Sequence, residues 1–254
     1  MVIKRNLFLF KTIRFVLEPL PEEIEKLKKI YLMINCLSYQ ELSLAGFEKR
    51  QKKTPLIDLT KTLPEIFFAF HDTTRNEIRR SEKNFDLKFV NDDGNFKEAY
   101  KLYCRHETSQ KRIPESKNEF SGCKVFSAYF KDKMISTIIC FTGSKYLRAK
   151  SISSLRMESF DKEMLRLISF STRRLVWEIC KYGKENDYFG FDLGSINLVD
   201  SNKASIAQFK NSFGGKIVDE YLYIYKSKIF KFFERVVKLK VLALKFLLKK
   251  TDNE

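Results

Sequence analysis

"KVFSAYFKDKMISTIICFTGSKYLRAKSISS", residues 124–154, is the stretch whose reading decides the fold. It holds three segments, 124–132, 133–143 and 145–154, each rich in β-branched and aromatic residues. Such residues suit a pleated, half-buried surface. Lys131-Asp132 and Gly143-Ser144 divide the segments as short turn signals, so the three read as an antiparallel meander. Toward the N-terminus, "LPEIFFAFHDTTRNEIRRSEKN" (63–84) reads as one long helix, with its acid early and its bases late. "DLKFVND" (86–92) then reads as a strand and "NFKEAYKLYCRHETSQKR" (95–112) as a second helix. Toward the C-terminus, "STRRLVWEICKYGKEN" (171–186) reads as a helix with Ser171 or Thr172 as its N-cap. "YFGFDLGSIN" (188–197) is a strand, "NKASIAQFKNSFGG" (202–215) a short helix closed by a glycine cap, and "KIVDEYLYIYK" (216–226) a last strand.

This order gives an α+β fold with a mixed, mainly antiparallel sheet flanked by helices. Three hairpin-linked strands interrupt any strand–helix alternation, which excludes a TIM barrel. Before the long helix, "IKRNLFLFKTIRFVLE" (3–18) reads as a strand or strand pair and "TPLIDLTK" (54–61) as a short strand. Between them "LPEEIEKLKKIYLMIN" (20–35) places Ile24, Leu27, Ile30, Tyr31 and Ile34 at helical spacing. The expected organisation is a reduced N-terminal subdomain (1–70), a main domain (71–225) and a basic C-terminal helix (226–254).

The chain has 254 residues, 44% of them hydrophobic and 24 of them phenylalanine, enough to bury a core. Its net charge of +16 implies an anionic partner: nucleic acid, a membrane surface or a phosphate-bearing ligand. Half of that charge lies in the tail, where 226–250 carries nine Lys/Arg and one Glu. Lys231, Arg235, Lys238, Lys245 and Lys249 fall on one helical face, opposite Ile229, Phe233, Leu244 and Leu248. A helix of that kind lies on an anionic membrane or docks its apolar face on the core. Cys36, Cys104, Cys123, Cys140 and Cys180 are scattered and form no CxxC, so a reducing cytoplasm is expected, without disulfides or a zinc site. Lys11 and Arg14 interrupt the N-terminal apolar run, which is not read as a signal peptide, and no window is long and apolar enough for a membrane span.

No P-loop, nucleophile elbow, GxGxxG, HExxH or EF-hand is present, and His71 and His106 are the only histidines. A histidine triad or histidine-rich metal site is therefore not expected; both histidines read most simply as structural or solvent-facing. The start of the 171–186 helix is a better candidate. Free N–H groups at a helix N-terminus suit a pyrophosphate, with Ser171 and Thr172 at the cap and Arg173 and Arg174 adding charge-assisted bonds. The plainer reading makes both arginines solvated.

The order of elements over 85–225 resembles the GNAT acyltransferase fold. "TPLIDLTK" (54–61), "RNEIRRSEK" (75–83), "FDLGSIN" (191–197) and "FKNSFGGKIVDEYLY" (209–223) resemble the Fem-type transferases of that superfamily, and the shorter Fem-like N-acyltransferases of surface-polysaccharide pathways. Relatives usually read Asp-Leu-Gly-Gly where this chain has Asp192-Leu193-Gly194-Ser195. The resemblance implies transfer of an acyl or aminoacyl group to an amine, without a metal. Lys210 occupies the position of the lysine that lies near donor and acceptor, where it holds an anion or stabilises the oxyanion. Asp192, at a strand end, either orients and deprotonates the amine or caps the turn before Gly194. Arg75 and Arg79 lie on the helix bordering the acceptor site, and Arg148 and Arg156 flank the last meander strand; all four are candidates for binding an acceptor's phosphate.

Full-length Fem enzymes have two complete GNAT-like domains, and some have a coiled-coil arm that grips tRNA. This shorter chain shows no such arm. The expected donor is therefore acyl-CoA, and the expected acceptor an amino sugar of a cell-surface glycan or its precursor, handled in the cytoplasm at the membrane. Aminoacyl-tRNA as donor, and a non-catalytic nucleic-acid or membrane binder on the same scaffold, are the alternatives.

Overall fold

A computed structural model describes residues 2–7, 10–17, 21–157, 161–197 and 204–236. The elements run β1 (Val2–Leu7), β2 (Phe10–Val16), α1 (Pro21–Leu27), β3 (Met33–Ser38), β4 (Glu48–Asp58), α2 (Leu63–Phe68), α3 (Asp72–Glu82) and β5 (Leu87–Val90). They continue with α4 (Phe96–Ser109), β6 (Lys124–Phe130), β7 (Lys133–Thr142), β8 (Tyr146–Ser154), α5 (Lys162–Glu185), β9 (Gly190–Asp192), α6 (Ala204–Asn211) and β10 (Lys216–Lys226). Residues 228–236 are helical; the remainder of the expected tail helix lies outside the described residues.

Two compact units result. One spans Gln51–Glu220, and the other combines Val2–Arg50 with the chain from Tyr221 onward. β4 and α2, which the sequence places in an N-terminal subdomain, thus fold with the meander, and β10 starts in the first unit and ends in the second.

In the Gln51–Glu220 unit the strands lie in the order β4-β9-β8-β7-β6-β5. β8 and β9 are parallel, and the other pairs are antiparallel. Lys131 and Asp132 both adopt positive φ, the geometry of a tight hairpin turn. Strand residues Phe126, Ile138, Leu147 and Phe191 are fully buried, as are Leu175 and Ile179 of α5. α5 packs on β6 and β7 and against α3, while α4 packs on β7 and β8.

The expected long helix over 63–84 is two helices. Thr62 and Glu65 form a capping box at the start of α2, with Thr62 N–H on Glu65 Oε2 at 2.8 Å. The helix stops at Ala69, and His71 N–H donates to Ser212 O at 2.9 Å instead of continuing the ladder. Arg75 reaches back to Phe68 O and Phe70 O, at 2.6 and 2.5 Å, satisfying carbonyls that the break exposes. The break swings Phe70 inward to meet Phe213 and Trp177 edge-on, with centroids 5.3 and 5.9 Å away. Burying one such ring stabilises the fold by about 1.5–3 kcal/mol.

In the other unit the order is β1-β2-β3-β10. β3 pairs parallel with β2 and antiparallel with β10. The expected helix over 20–35 therefore ends at Leu27, because pairing on both edges draws 33–38 into a strand. Ile24, Ile34, Cys36 and Tyr223 form its buried core, and Tyr223 Oη accepts from Leu42 N–H at 2.6 Å.

Gly214 ends α6 with φ +63°, and a Cβ there would lie 2.1 Å from Ala69 O. Gly214→Ala should destabilise the chain by on the order of 3 kcal/mol, combining left-handed strain with a backbone clash. A urea denaturation midpoint indistinguishable from wild type would show that this close approach is not constraining.

Candidate functional site

β8 and β9 pair over only three residues, Tyr146–Arg148 against Gly190–Asp192. β9 then ends, while β8 runs on to Ser154. Past Arg148 that edge of β8 has no strand partner among the described residues, and the sheet splays open. Lys150 is an extra residue in β8, since Ile139 opposes Ser151 and Cys140 opposes Ala149. A cleft of about 1160 Å³ follows the open edge. Its walls are β8 from Ala149 to Ile152, α6, the Ile168–Arg173 stretch of α5, the start of α3 and, from α4 and the loop after it, Tyr103, His106, Glu107, Arg112 and Glu115.

Lys210 on α6 lines this cleft. Its half-buried ammonium donates to Gly194 O and Ser195 O, both at 3.0 Å. Burial, and then repulsion from Arg148, push its pKa down to about 8, against a smaller upward pull from Asp192 and Glu220. No carboxylate lies within ion-pairing distance of it among the described residues, so carbonyl dipoles hold it in place of a counter-ion.

Beside it lies a buried charge network. Arg148 Nη1 pairs with Asp192 Oδ2, and with Glu220 Oε2 at 2.7 Å. Arg148 Nη2 donates to Ser195 Oγ at 3.3 Å, and Ser195 Oγ donates to Glu220 Oε1. Asp192 Oδ1 accepts from Thr54 Oγ1, and from Gly194 N–H at 2.6 Å. All three charged residues are buried. Gly194 has φ +81°, a left-handed conformation that favours glycine, and a Cβ there would crowd Ala149 O at 3.2 Å and Lys210 Nζ at 3.3 Å.

The structure brings Lys210, Arg156, Thr172 and Arg173 to one cleft and leaves the other candidates elsewhere. Asp192 is sealed, capping the turn at Gly194 as well as pairing with Arg148. Arg148 belongs to the network and not to the cleft wall. Arg75 is spent on the end of α2 and pairs with Asp72; Arg79 lies over the Phe67 ring, 5.5 Å from its centroid.

The helix start expected at Ser171 or Thr172 is corrected. α5 begins at Lys162, and Asp161 caps it by accepting from Glu163 N–H at 3.1 Å and Met164 N–H at 3.2 Å. Ser171, Thr172, Arg173 and Arg174 are therefore mid-helix, where backbone N–H groups serve the helix and no anion site forms at its dipole. Ser171 and Thr172 hydroxyls both donate to Ile168 O. Arg173 pairs with Glu77 at 3.0 Å and Arg174 with Glu82 and Glu178.

Sequence reasoning missed the opposite wall. His71 and His106 both line the cleft. Burial holds the His106 imidazole below its ordinary pKa, so it is neutral at pH 7. Glu115 is held there by Lys150 at 2.5 Å, whose ammonium sits between the Phe120 and Phe141 rings, 5.0 and 5.3 Å from their centroids. Ser151 Oγ, His106 Nδ1 and Arg173 Nε are buried without a hydrogen-bond partner among the described residues. The clue in the sequence was the alternation Lys150–Ser151–Ile152, readable only once β8 is known to be an open edge. Four of the thiols offer no nucleophile here: burial pushes Cys36 and Cys123 up to about 12, and pushes Cys140 and Cys180 well above their ordinary value. Among the described residues no three His, Cys, Asp or Glu side chains are grouped to hold a metal ion.

No protein-family model matches this chain, and no curated protein matches it in sequence. Solved structures do match its fold. It is similar to FemX with a TM-score of 0.62 and 10% identity, over 86% of this chain and 82% of that one. It is similar to L-PGS from Bacillus licheniformis with a TM-score of 0.53 and 13% identity, over 89% and 80%. The C-terminal domain of a lysylphosphatidylglycerol synthetase-like protein from Agrobacterium fabrum gives 0.52 and 15%, over 75% and 67%. The fold is thus one shared with FemX, an α+β fold with a large, mainly antiparallel sheet, as the Fem-type motifs in the sequence lead one to expect.

Because Lys210 titrates below the ordinary lysine value of 10.5, the unfolded chain binds more protons between about 8 and 10.5. Its contribution therefore raises stability as pH climbs through that window. In Lys210→Met this rise should vanish, checked by comparing unfolding free energies of the two chains at about pH 7.5 and about pH 9.5. An equal rise in both chains would place the titration elsewhere.

Proposed function

We propose that this chain is a transferase that moves an acyl or aminoacyl group to an amine. In this reading the donor is acyl-CoA, and the acceptor is an amino sugar of a cell-surface glycan or of its nucleotide- or lipid-linked precursor. The observation that carries it is Lys210, held at an open sheet edge with two donors on Gly194 O and Ser195 O. A neutral lysine has two N–H donors and one lone pair. With both donors on carbonyls, the lone pair is left for the cleft, and near pH 8 half of the molecules have it.

The chemistry asks little more. The amine nitrogen attacks the thioester carbonyl carbon, the C–S bond breaks, and the attacking nitrogen loses a proton. Lys210 takes that proton and returns it to the departing thiolate, so it ends as it began. This moves to Lys210 the proton removal otherwise open to Asp192, whose oxygens are closed in by Thr54, Gly194 and Arg148. Orientation of both substrates in the cleft supplies the remaining rate. Arg156 and the Ser169 hydroxyl line the same cleft, a cation and a proton donor suited to donor phosphates.

A second reading is favoured by the likeness to FemX: an aminoacyl-tRNA-dependent transfer of the Fem type onto a cell-envelope precursor. Either activity is compatible with the basic helix that starts at 228 resting on an anionic membrane surface; no helix among the described residues is long and apolar enough to cross one.

Acyl-CoAs should raise the melting temperature of the wild-type chain. Lys210→Met should keep that shift but lose transfer to glucosamine-type acceptors by roughly 10²–10⁴-fold. Stabilisation by charged but not uncharged tRNA, with none by acyl-CoA, would select the second reading. Full activity in Lys210→Met would remove the lysine from the mechanism.

A further inference from the structure

Lys210 is placed by a loop, and that loop is tied at four successive residues. Leu193 N–H donates to Pro55 O at 3.1 Å and Ile196 N–H to Lys53 O at 2.8 Å. Between them Gly194 N–H is taken by Asp192 Oδ1, and the Ser195 side chain bridges Arg148 and Glu220. These ties leave the Gly194 and Ser195 carbonyls on the side where Lys210 meets them.

We propose that Glu220 is a positioning residue for Lys210: through Ser195 Oγ it fixes the two carbonyls that hold the lysine amine facing the cleft. Glu220 reaches this place because β10 starts directly after the Gly214-Gly215 turn that ends α6, so the residue and the lysine it serves lie on consecutive elements. The hydrogen bonds allow only one arrangement. Ser195 has a single proton, which goes to Glu220, so its oxygen accepts from Arg148, which has no other choice than to donate. Arg148 in turn supplies the counter-charge that the buried Glu220 and Asp192 carboxylates need.

The charged groups facing Lys210 are Arg148 from β8, Asp192 from β9 and Glu220 from β10. Arg173 of α5 and His71 before α3 share its cleft. With Lys210 protonated, Lys210, Arg148, Asp192 and Glu220 sum to zero. Loss of the Glu220 charge leaves a buried excess of one positive charge, which favours release of the Lys210 proton.

The inference rests on the reading of Lys210 as the proton-moving group, but its test does not need a substrate. NMR of the full chain with lysine labelled at Nζ reads both the titration midpoint of Lys210 and the exchange of its Nζ protons. In Glu220→Gln, whose amide oxygen still accepts from Ser195, the midpoint should fall by roughly one pH unit. In Ser195→Ala, which keeps every charge, exchange protection of the Nζ protons should drop roughly tenfold as the carbonyls come loose. Ser195→Cys, of similar size and with a weaker donor, serves the same test if the alanine chain does not fold. Wild-type protection in a folded Ser195 variant overturns the inference, whatever Glu220→Gln does. Loss of protection in a chain whose wild type transfers no acyl group supports the inference and rejects the proposed function.

Discussion

Arg148 is a buried guanidinium, and a guanidinium does not shed its proton to escape burial. It must therefore be met by acids, and the fold supplies two from different strands, Asp192 on β9 and Glu220 on β10. That requirement ties together the strand that bounds the splay, the loop beyond it and the strand after α6. Replacing such a set by apolar residues is often harmless to stability, whereas removing one member leaves an uncompensated charge worth about 3–5 kcal/mol. Its presence in this unit is better understood through what it holds, the Gly194-Ser195 loop, than as a contribution to stability.

The splay that this network borders is where the sheet stops following its own hydrogen bonding. β8 continues past the end of β9 and carries a bulge at Lys150, so one strand edge faces a cleft instead of a neighbour. An open edge in a protein interior has to be covered or used. Here the helices α4, α5 and α6 form walls around it, and several buried polar atoms lining it have no partner among the described residues. The cleft is lined by more basic than acidic side chains, yet most of its cations are already paired, Arg173 with Glu77, Arg112 with Glu107 and Lys150 with Glu115. Lys210 differs from them in having carbonyls for partners.

A +16 chain with two histidines offers little of the usual catalytic equipment. Acyl transfer needs less of it than most reactions: a place for two substrates, a proton acceptor and a donor for the leaving group. In the proposed reading Lys210, whose protonation is poised near neutrality, supplies the last two with one side chain. The physical cause is burial against a like charge, which no count of residues reveals.

Much of the fold was legible in the sequence. The meander was, because alternating β-branched residues and the turn dipeptides Lys131-Asp132 and Gly143-Ser144 are local signals, and the same holds for α4, α6, β10 and the cap at Gly214. Lys210 stood out through the Phe-Lys-x-x-Phe-Gly-Gly motif. The tertiary structure alone decided where α5 begins, since Asp161 and Ser171 are both good caps and only packing selects between them. It also decided that 63–84 breaks at Ala69, because the partner of His71 N–H is Ser212, far along the chain. Arg148 read as a cleft residue in the sequence, and Asp192 as either cleft chemistry or the cap of the turn before Gly194; strand pairing sets the two opposite one another and buries both, leaving Asp192 the capping role. His71, His106 and Glu115 reach the cleft from a helix junction, from α4 and from the loop after it. Local propensity and spacing settle elements and turns, whereas burial, pairing and pKa depend on residues brought close by the fold, and those neighbours are not neighbours in the chain.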